Sequence, residues 1–244
     1  MNFFVIYRGG ICQILTMVKV RSILILFGLV PLLSFGQAPI TSLQTGDWDQ
    51  TTTWVGGVIP GNTDNAIIAS SHTVTLNAAE TINDLVIESG ATLRDNNKEM
   101  TVNGNFTMDG TFDGRKVLLL NGVGTWMDGF GTKTNMGNVT ISSGDKTILS
   151  SAKLNFTKGR FNIENGLTVT NNGTVTIKKN IVGGDATSTW TNAANSTLNV
   201  ERDLLIVGVL HASAAGKWVM YWRNEHAGLK VPVCGKCYNP STGR

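Results

Sequence analysis

One apolar spacing, met twice in the chain, constrains its fold more than any other feature. Met100-x-Val102-x-x-x-Phe106-x-Met108-x-Gly110-x-Phe112 is matched at every apolar position, and at the glycine, by Leu198-x-Val200-x-x-x-Leu204-x-Ile206-x-Gly208-x-Leu210. Leu85-x-Ile87 with Gly90-x-x-Leu93 reads as an earlier copy about one coil before Phe106-x-Met108, and Leu167-x-Val169 with Gly173-x-Val175-x-Ile177 as another. Apolar residues at period two are the mark of strands. A strand with two or three inward residues cannot bury them alone, but coils of about 20 residues, stacked, place Leu, Ile, Val and Phe over one another in a continuous core.

The spacing therefore predicts an all-β chain, a right-handed parallel β-solenoid, with a β-sandwich as the alternative. No segment after Gly36 carries an apolar stripe at helical spacing. Charged residues make up only 15% of the chain and glycine supplies 28 residues, which fits short strands and turns. Residues 37–215 are expected to hold the repeats, and residues 37–244 divide into roughly eight to ten coils at about 20 residues each. Residues 216–244 fit the pattern poorly and read as a partial last coil, as in a truncated piece of a longer protein. An open solenoid end exposes strand edges and needs a cap. Trp48 and Trp54, flanking a threonine run ahead of the first strands, are expected to form it as an aromatic lid, half in the core and half wet.

The first 36 residues read as a secretory signal. Lys19 and Arg21 precede an apolar stretch, Ile23–Leu33, followed by Ser34, Phe35 and Gly36. That stretch is shorter than the roughly 20 residues a membrane-spanning helix requires. Cleavage is expected after Gly36, with Met17 as the true start, and the mature chain is expected to be secreted or held at the outer cell surface without an integral anchor. Arg8, Lys19 and Arg21 leave with the leader, so the remaining basic residues only match the 17 acidic ones. A nearly neutral mature chain lacks the basic footprint that nucleic acid or an anionic membrane surface demands.

Cys12 lies within the leader. Cys234 and Cys237 form a C-x-x-C with His226 upstream, but neither a βαβ context nor the further ligands of a zinc site accompany them. Asn105-Phe-Thr107, Asn138-Val-Thr140 and Asn155-Phe-Thr157 match the glycosylation acceptor pattern and equally the plain alternation of an Asn/Thr-rich strand.

The segment Gly46-Asp47-Trp48, Thr53-Trp54-Val55-Gly56-Gly57, Pro60-Gly61, Asp64, Ile67-Ile68 and His72-Thr73-Val74-Thr75-Leu76 resembles the opening of the glycine-rich, G8-like β-helix surface proteins of diderm bacteria that use type IX secretion. To about residue 215 the similarity is one of repeat style. The resemblance implies a large secreted or surface-attached, often adhesin-like protein with a C-terminal sorting domain, and no such domain is recognisable in this sequence. Some proteins with this opening are joined to carbohydrate-active modules.

A polysaccharide lyase or glycoside hydrolase on a solenoid needs carboxylates gathered on one face, with a cation to hold a uronate or a second carboxylate for acid–base work. The nearest set is Asp109, Asp113, Arg115, Lys116 and Asp128, in which Asp113-Gly114-Arg115 also reads as an ordinary turn. His72, His211 and His226 stand in no nucleophile context. Asp47, Asp49 and Asp64 supply oxygens near the cap for calcium, at a spacing that matches no calcium loop, and no other cofactor is expected. Thr73/Thr75, Thr168/Thr170, Thr174/Thr176 and Thr187/Thr189 raise an ice- or crystal-binding face, but their spacing along the chain is irregular. The sequence thus points to a non-catalytic structural or adhesive module contacting extracellular polysaccharide or another cell-surface component. A β-helix lyase or hydrolase is the alternative.

Overall fold

The computed structural model describes residues 38–122, 126–134 and 137–201 in full, and the backbone of 204–205, 209–212 and 217–220. The leader expected over residues 1–36 and the residues 221–244, with Cys234, Cys237 and His226, lie outside these. Among the described residues, strands of two to four residues assemble into three sheets, two of nine strands and one of seven, and from Ala66–Ile68 onward every third strand of the chain is the next neighbour in its sheet. All sheet pairings are parallel. The chain is therefore a parallel β-solenoid in which each coil contributes one strand to each face.

Sheet I runs from Ile40–Thr41 to Val209–Ala212, sheet II from Gly46–Asp47 to Lys217–Met220, and sheet III from Glu80–Ile82 to Leu204–Leu205. The seven strands of sheet III set the number of complete coils among the described residues. The cap consumes the first stretch of chain, since sheet III has no strand before Glu80.

Alternation within each strand fills the interior. In sheet III, Met100, Leu118, Val139 and Phe161 are successive register partners and buried, as are Val102, Leu120, Ile141 and Ile163 beside them. In sheet II the inward column runs Val74, Leu93, Phe112, Lys133, Phe156, a row of apolar residues broken by one lysine. In sheet I, Leu85 pairs with Phe106 and Ile87 with Met108, as their spacing predicts. Further on, Ile148 pairs with Asn171 and Asn171 with Asn192. These two buried asparagines hold each other, Asn171 Nδ2 donating to Asn192 Oδ1 at 3.0 Å, and Trp190 Nε1 donates to the same oxygen at 3.0 Å.

The two long copies of the repeat do not occupy equivalent places. Met100–Val102 belongs to sheet III, Phe106–Met108 to sheet I and Phe112 to sheet II, whereas Leu198 and Val200 lie in sheet II, Leu204 in sheet III and Leu210 in sheet I. They are out of phase by one face. Each face is built from the same strand-and-turn unit, so the local pattern recurs every third of a coil and cannot fix which face it is on.

Trp48 and Trp54 close the first coils, their rings in an edge-to-face contact at 4.9 Å. Both are buried outright, which corrects the expectation of a half-wet lid. The indole N–H groups are satisfied by carbonyls and not by solvent: Trp54 Nε1 donates to Trp48 O at 2.7 Å and Trp48 Nε1 to Pro60 O at 3.4 Å. The folded-back loop that carries Trp54 also bridges antiparallel to Ser42.

Candidate functional site

Among the described residues, large apolar side chains are exposed in two places: Leu43, Val55, Val58 and Ile59 around the cap, and Trp126 and Phe130 at mid-solenoid. In strand Trp126–Asp128 of sheet I the period of two turns Met127 inward and leaves Trp126 and Asp128 on the outer face, with Trp126 44% exposed. The Gly129-Phe130-Gly131 turn then carries the chain around the corner into sheet II. A Cβ at Gly129 or Gly131 would collide with the Met108 carbonyl of the coil below, and Gly129 has φ +109°, so both positions require glycine. This tight seat pushes Phe130 outward, 60% exposed.

The predicted carboxylates of this region hold the turn. Asp109 Oδ1 accepts from the Phe130 N–H at 2.9 Å, linking one coil to the next. Asp128 Oδ1 accepts from Gly129 N at 2.8 Å and from Ser151 Oγ of the following coil at 2.7 Å. Lys153 places its ammonium 5.5 Å from the centre of the Phe130 ring. The corner between sheets I and II thus presents Phe130 among Asp109, Asp128, Ser151 and Lys153, with Trp126 exposed on the sheet I face at the other end of the strand that leads into it.

Asp113 stands at the far end of strand Thr111–Asp113, roughly 10 Å from this corner at about 3.3 Å per residue. There it accepts from Thr134 Oγ1 at 2.9 Å and faces Arg94 Nε at 3.5 Å. Arg115 and Lys116 are exposed in the next turn, and the Lys116 N–H donates to Asp95 Oδ2 at 2.7 Å. The fold thus brings Asp109 and Asp128 to one corner and leaves Asp113, Arg115 and Lys116 at another. Of the cap carboxylates, Asp49 accepts from Asn77 Nδ2 at 3.1 Å, Asp64 accepts from Gly61 N at 2.8 Å, and Asp47 lies in a sheet II strand. Among the described residues no three His, Cys, Asp or Glu side chains gather as a metal site would require. His72 Nδ1 pairs with Ser42 Oγ at 2.9 Å, but that hydroxyl also accepts from Ala69 N and belongs to a residue 3% exposed.

Sequence reasoning passed over Trp126 and Phe130. The signal was present: Met127 continues the inward column of Phe106, so its neighbours face out, and an aromatic between two glycines sits on a turn.

Two lysines are buried where the repeat calls for apolar residues. Lys133 is wholly buried in sheet II, its ammonium 4.6 Å from the centre of the Phe112 ring and 3.3 Å from Gly114 O. Burial pushes its amine down to about 8, with Asp95 and Asp113 pulling the other way. Below pH 8 folded and unfolded chains are both protonated and the buried charge costs stability. Between about 8 and 10.5 the unfolded chain holds the extra proton, so stability rises with pH across that window. Lys133→Met is expected to gain about 1–3 kcal/mol at pH 7. That gain should shrink to nothing above pH 10.5 in urea titrations run in parallel. A variant equally stable to the wild type at pH 7 would show that the ammonium is fully compensated where it lies.

No family model, curated protein or solved structure matches the chain.

Proposed function

We propose that this solenoid is an exported, non-catalytic module that contacts extracellular glycan through the Trp126–Phe130 segment. The observation that carries the reading is the two exposed aromatics along one strand and its turn, Trp126 on the outer face of sheet I and Phe130 on a corner held by hydrogen bonds. A pyranose presents a C–H face that packs on an aromatic ring and a rim of hydroxyls that seek acceptors and donors. Trp126 and Phe130 offer the first, and Asp128, Ser151 and Lys153 the second. Anchoring the turn through Asp109 removes much of the ordering cost that a flexible loop would incur on binding. The leader pattern of residues 19–36 and the resemblance of residues 46–76 support export to the cell surface.

The lyase or hydrolase alternative draws on the same corner, since Asp109 and Asp128 lie there. A glycan array and a polysaccharide depolymerisation screen on one preparation of the full chain separate the two. Binding without cleavage is expected, with Trp126→Ala or Phe130→Ala weakening it about tenfold or more, the scale of a single aromatic anchor. Cleavage lost on Asp109→Asn or Asp128→Asn would replace this reading with the enzyme, and a chain that retains no glycan at all would end it.

A further inference from the structure

We propose that the outward face of sheet II binds the surface of ice. The Thr-x-Thr pairs look irregular along the chain, and the fold explains why without supporting the pairs themselves. Thr73/Thr75 and Thr174/Thr176 lie on sheet II, Thr168/Thr170 on sheet I. Register, not sequence spacing, makes the array. Thr73, Thr92, Thr111 and Thr132 are Cα partners on four consecutive strands, and the rank continues through Asn155, Thr176 and Asn199. Coil length drifts along the solenoid, but the drift is absorbed in the turns, so the rank stays straight.

Every member of the rank is partly exposed between buried strand neighbours, although the Oδ1 of Asn155 is itself buried. Strand spacing sets one side chain every 4.7–4.9 Å along the axis, roughly. Threonine is held at χ1 by its branch, which fixes both the methyl and the hydroxyl. At the last two described members, Asn199 Nδ2 donates to Thr176 Oγ1 at 3.1 Å. A fixed row of hydroxyls and methyls at this interval is close to the oxygen repeat of an ice lattice.

Charge selects the same partner. The rank itself carries none. Along one flank the charged residues pair across adjacent strands, Arg94 with Asp113 at 3.5 Å and Lys178 with Glu201 at 3.8 Å. On the other flank Lys153 is drawn over Phe130. The rank itself therefore offers neither a cationic footprint for a polyanion nor an aromatic platform for a single sugar chain. What fits it is an uncharged, periodic, hydrogen-bonding solid. On sheet I the corresponding outer row is interrupted by Trp126 and becomes threonine only from Thr147 onward, so sheet II is the face assigned.

The full chain is expected to shape ice crystals, open a gap between melting and freezing points, and slow recrystallisation relative to an inert protein at equal mass. Thr111→Tyr and, separately, Thr132→Tyr should abolish these effects while circular dichroism reports an intact fold. Thr101→Tyr, on the outer face of sheet III, should leave them unchanged, and so should Trp126→Ala, which tests the glycan segment instead. Wild-type protein without effect on ice overturns the proposal, as does equal loss in the sheet II and sheet III variants. Adsorption to microcrystalline cellulose that Thr111→Tyr removes, with no effect on ice, would overturn it in favour of a crystalline glycan.

Discussion

Replacing Trp54 with alanine is expected to remove about 3–5 kcal/mol of stability, the usual cost of deleting a buried indole. The side chain is 1% exposed, packs edge-to-face on Trp48 and donates its N–H to the Trp48 carbonyl. All three contributions go at once, and the carbonyl loses its partner. In a solenoid each coil touches only its neighbours, so the damage should enter from this end. Thermal unfolding is expected to shift down by about 10 °C, with a separate early transition as the first coils fray. Hydrogen exchange would show that fraying as lost protection from Ile40 to Leu76 before the middle coils open. A loss below about 1 kcal/mol would mean that the pair decorates the end of the core and does not close it.

Lys146→Met should be as damaging, although Lys133→Met is expected to stabilise. Both lysines are buried, and burial pushes both amines down to about 8. Their partners differ. Lys133 has one carbonyl acceptor and a ring. The Lys146 ammonium donates to Gly122 O at 2.6 Å, to Gly144 O at 2.6 Å and to Ser143 O, using all three of its protons. Hydrogen bonds to the charged form favour it, so these carbonyls hold the ammonium protonated at neutral pH against the cost of burial. Methionine would remove the ammonium from the Ser143 and Gly144 carbonyls at about 1–3 kcal/mol each, and with the lost bond to Gly122 O a total loss of about 3–5 kcal/mol follows after relaxation. Chemical denaturation of the two variants side by side checks the contrast. Equal signs for both would mean that the acceptors around Lys146 find water.

The strand periodicity was readable because it depends only on neighbours two apart, and Leu85 over Phe106 was correctly placed by it. The phase of the repeat was not, since Met100 and Leu198 sit in the same local pattern on different faces. Face assignment depends on the lengths of all the intervening turns, and one extra corner residue leaves the pattern intact while moving it around the coil. The same limit hid the threonine rank, whose members are neighbours only through register. Asp109 and Asp128 were noticed for their charge, and the fold does bring them to one corner. Trp126 and Phe130, which give that corner and the strand leading into it their exposed surface, were missed because parity had to be counted from Met127. The buried lysines were illegible for a different reason: a cation at an apolar position reads as a boundary of the pattern until its acceptors are known.

The parallel ladders have a mechanical consequence. Their backbone hydrogen bonds point from coil to coil, along the solenoid axis, and every complete coil meets the next through three sheets at once. Tension applied between the two ends of the described solenoid would act on all three ladders of an interface together, so no single strand could yield alone. Tension applied sideways to one end coil would meet only the few bonds of one short strand before passing to the next. The molecule should therefore behave as a stiff tether when stretched lengthwise and as a zip when peeled, and optical-trap pulling from paired attachment points along or across the axis would read the difference as unequal rupture forces.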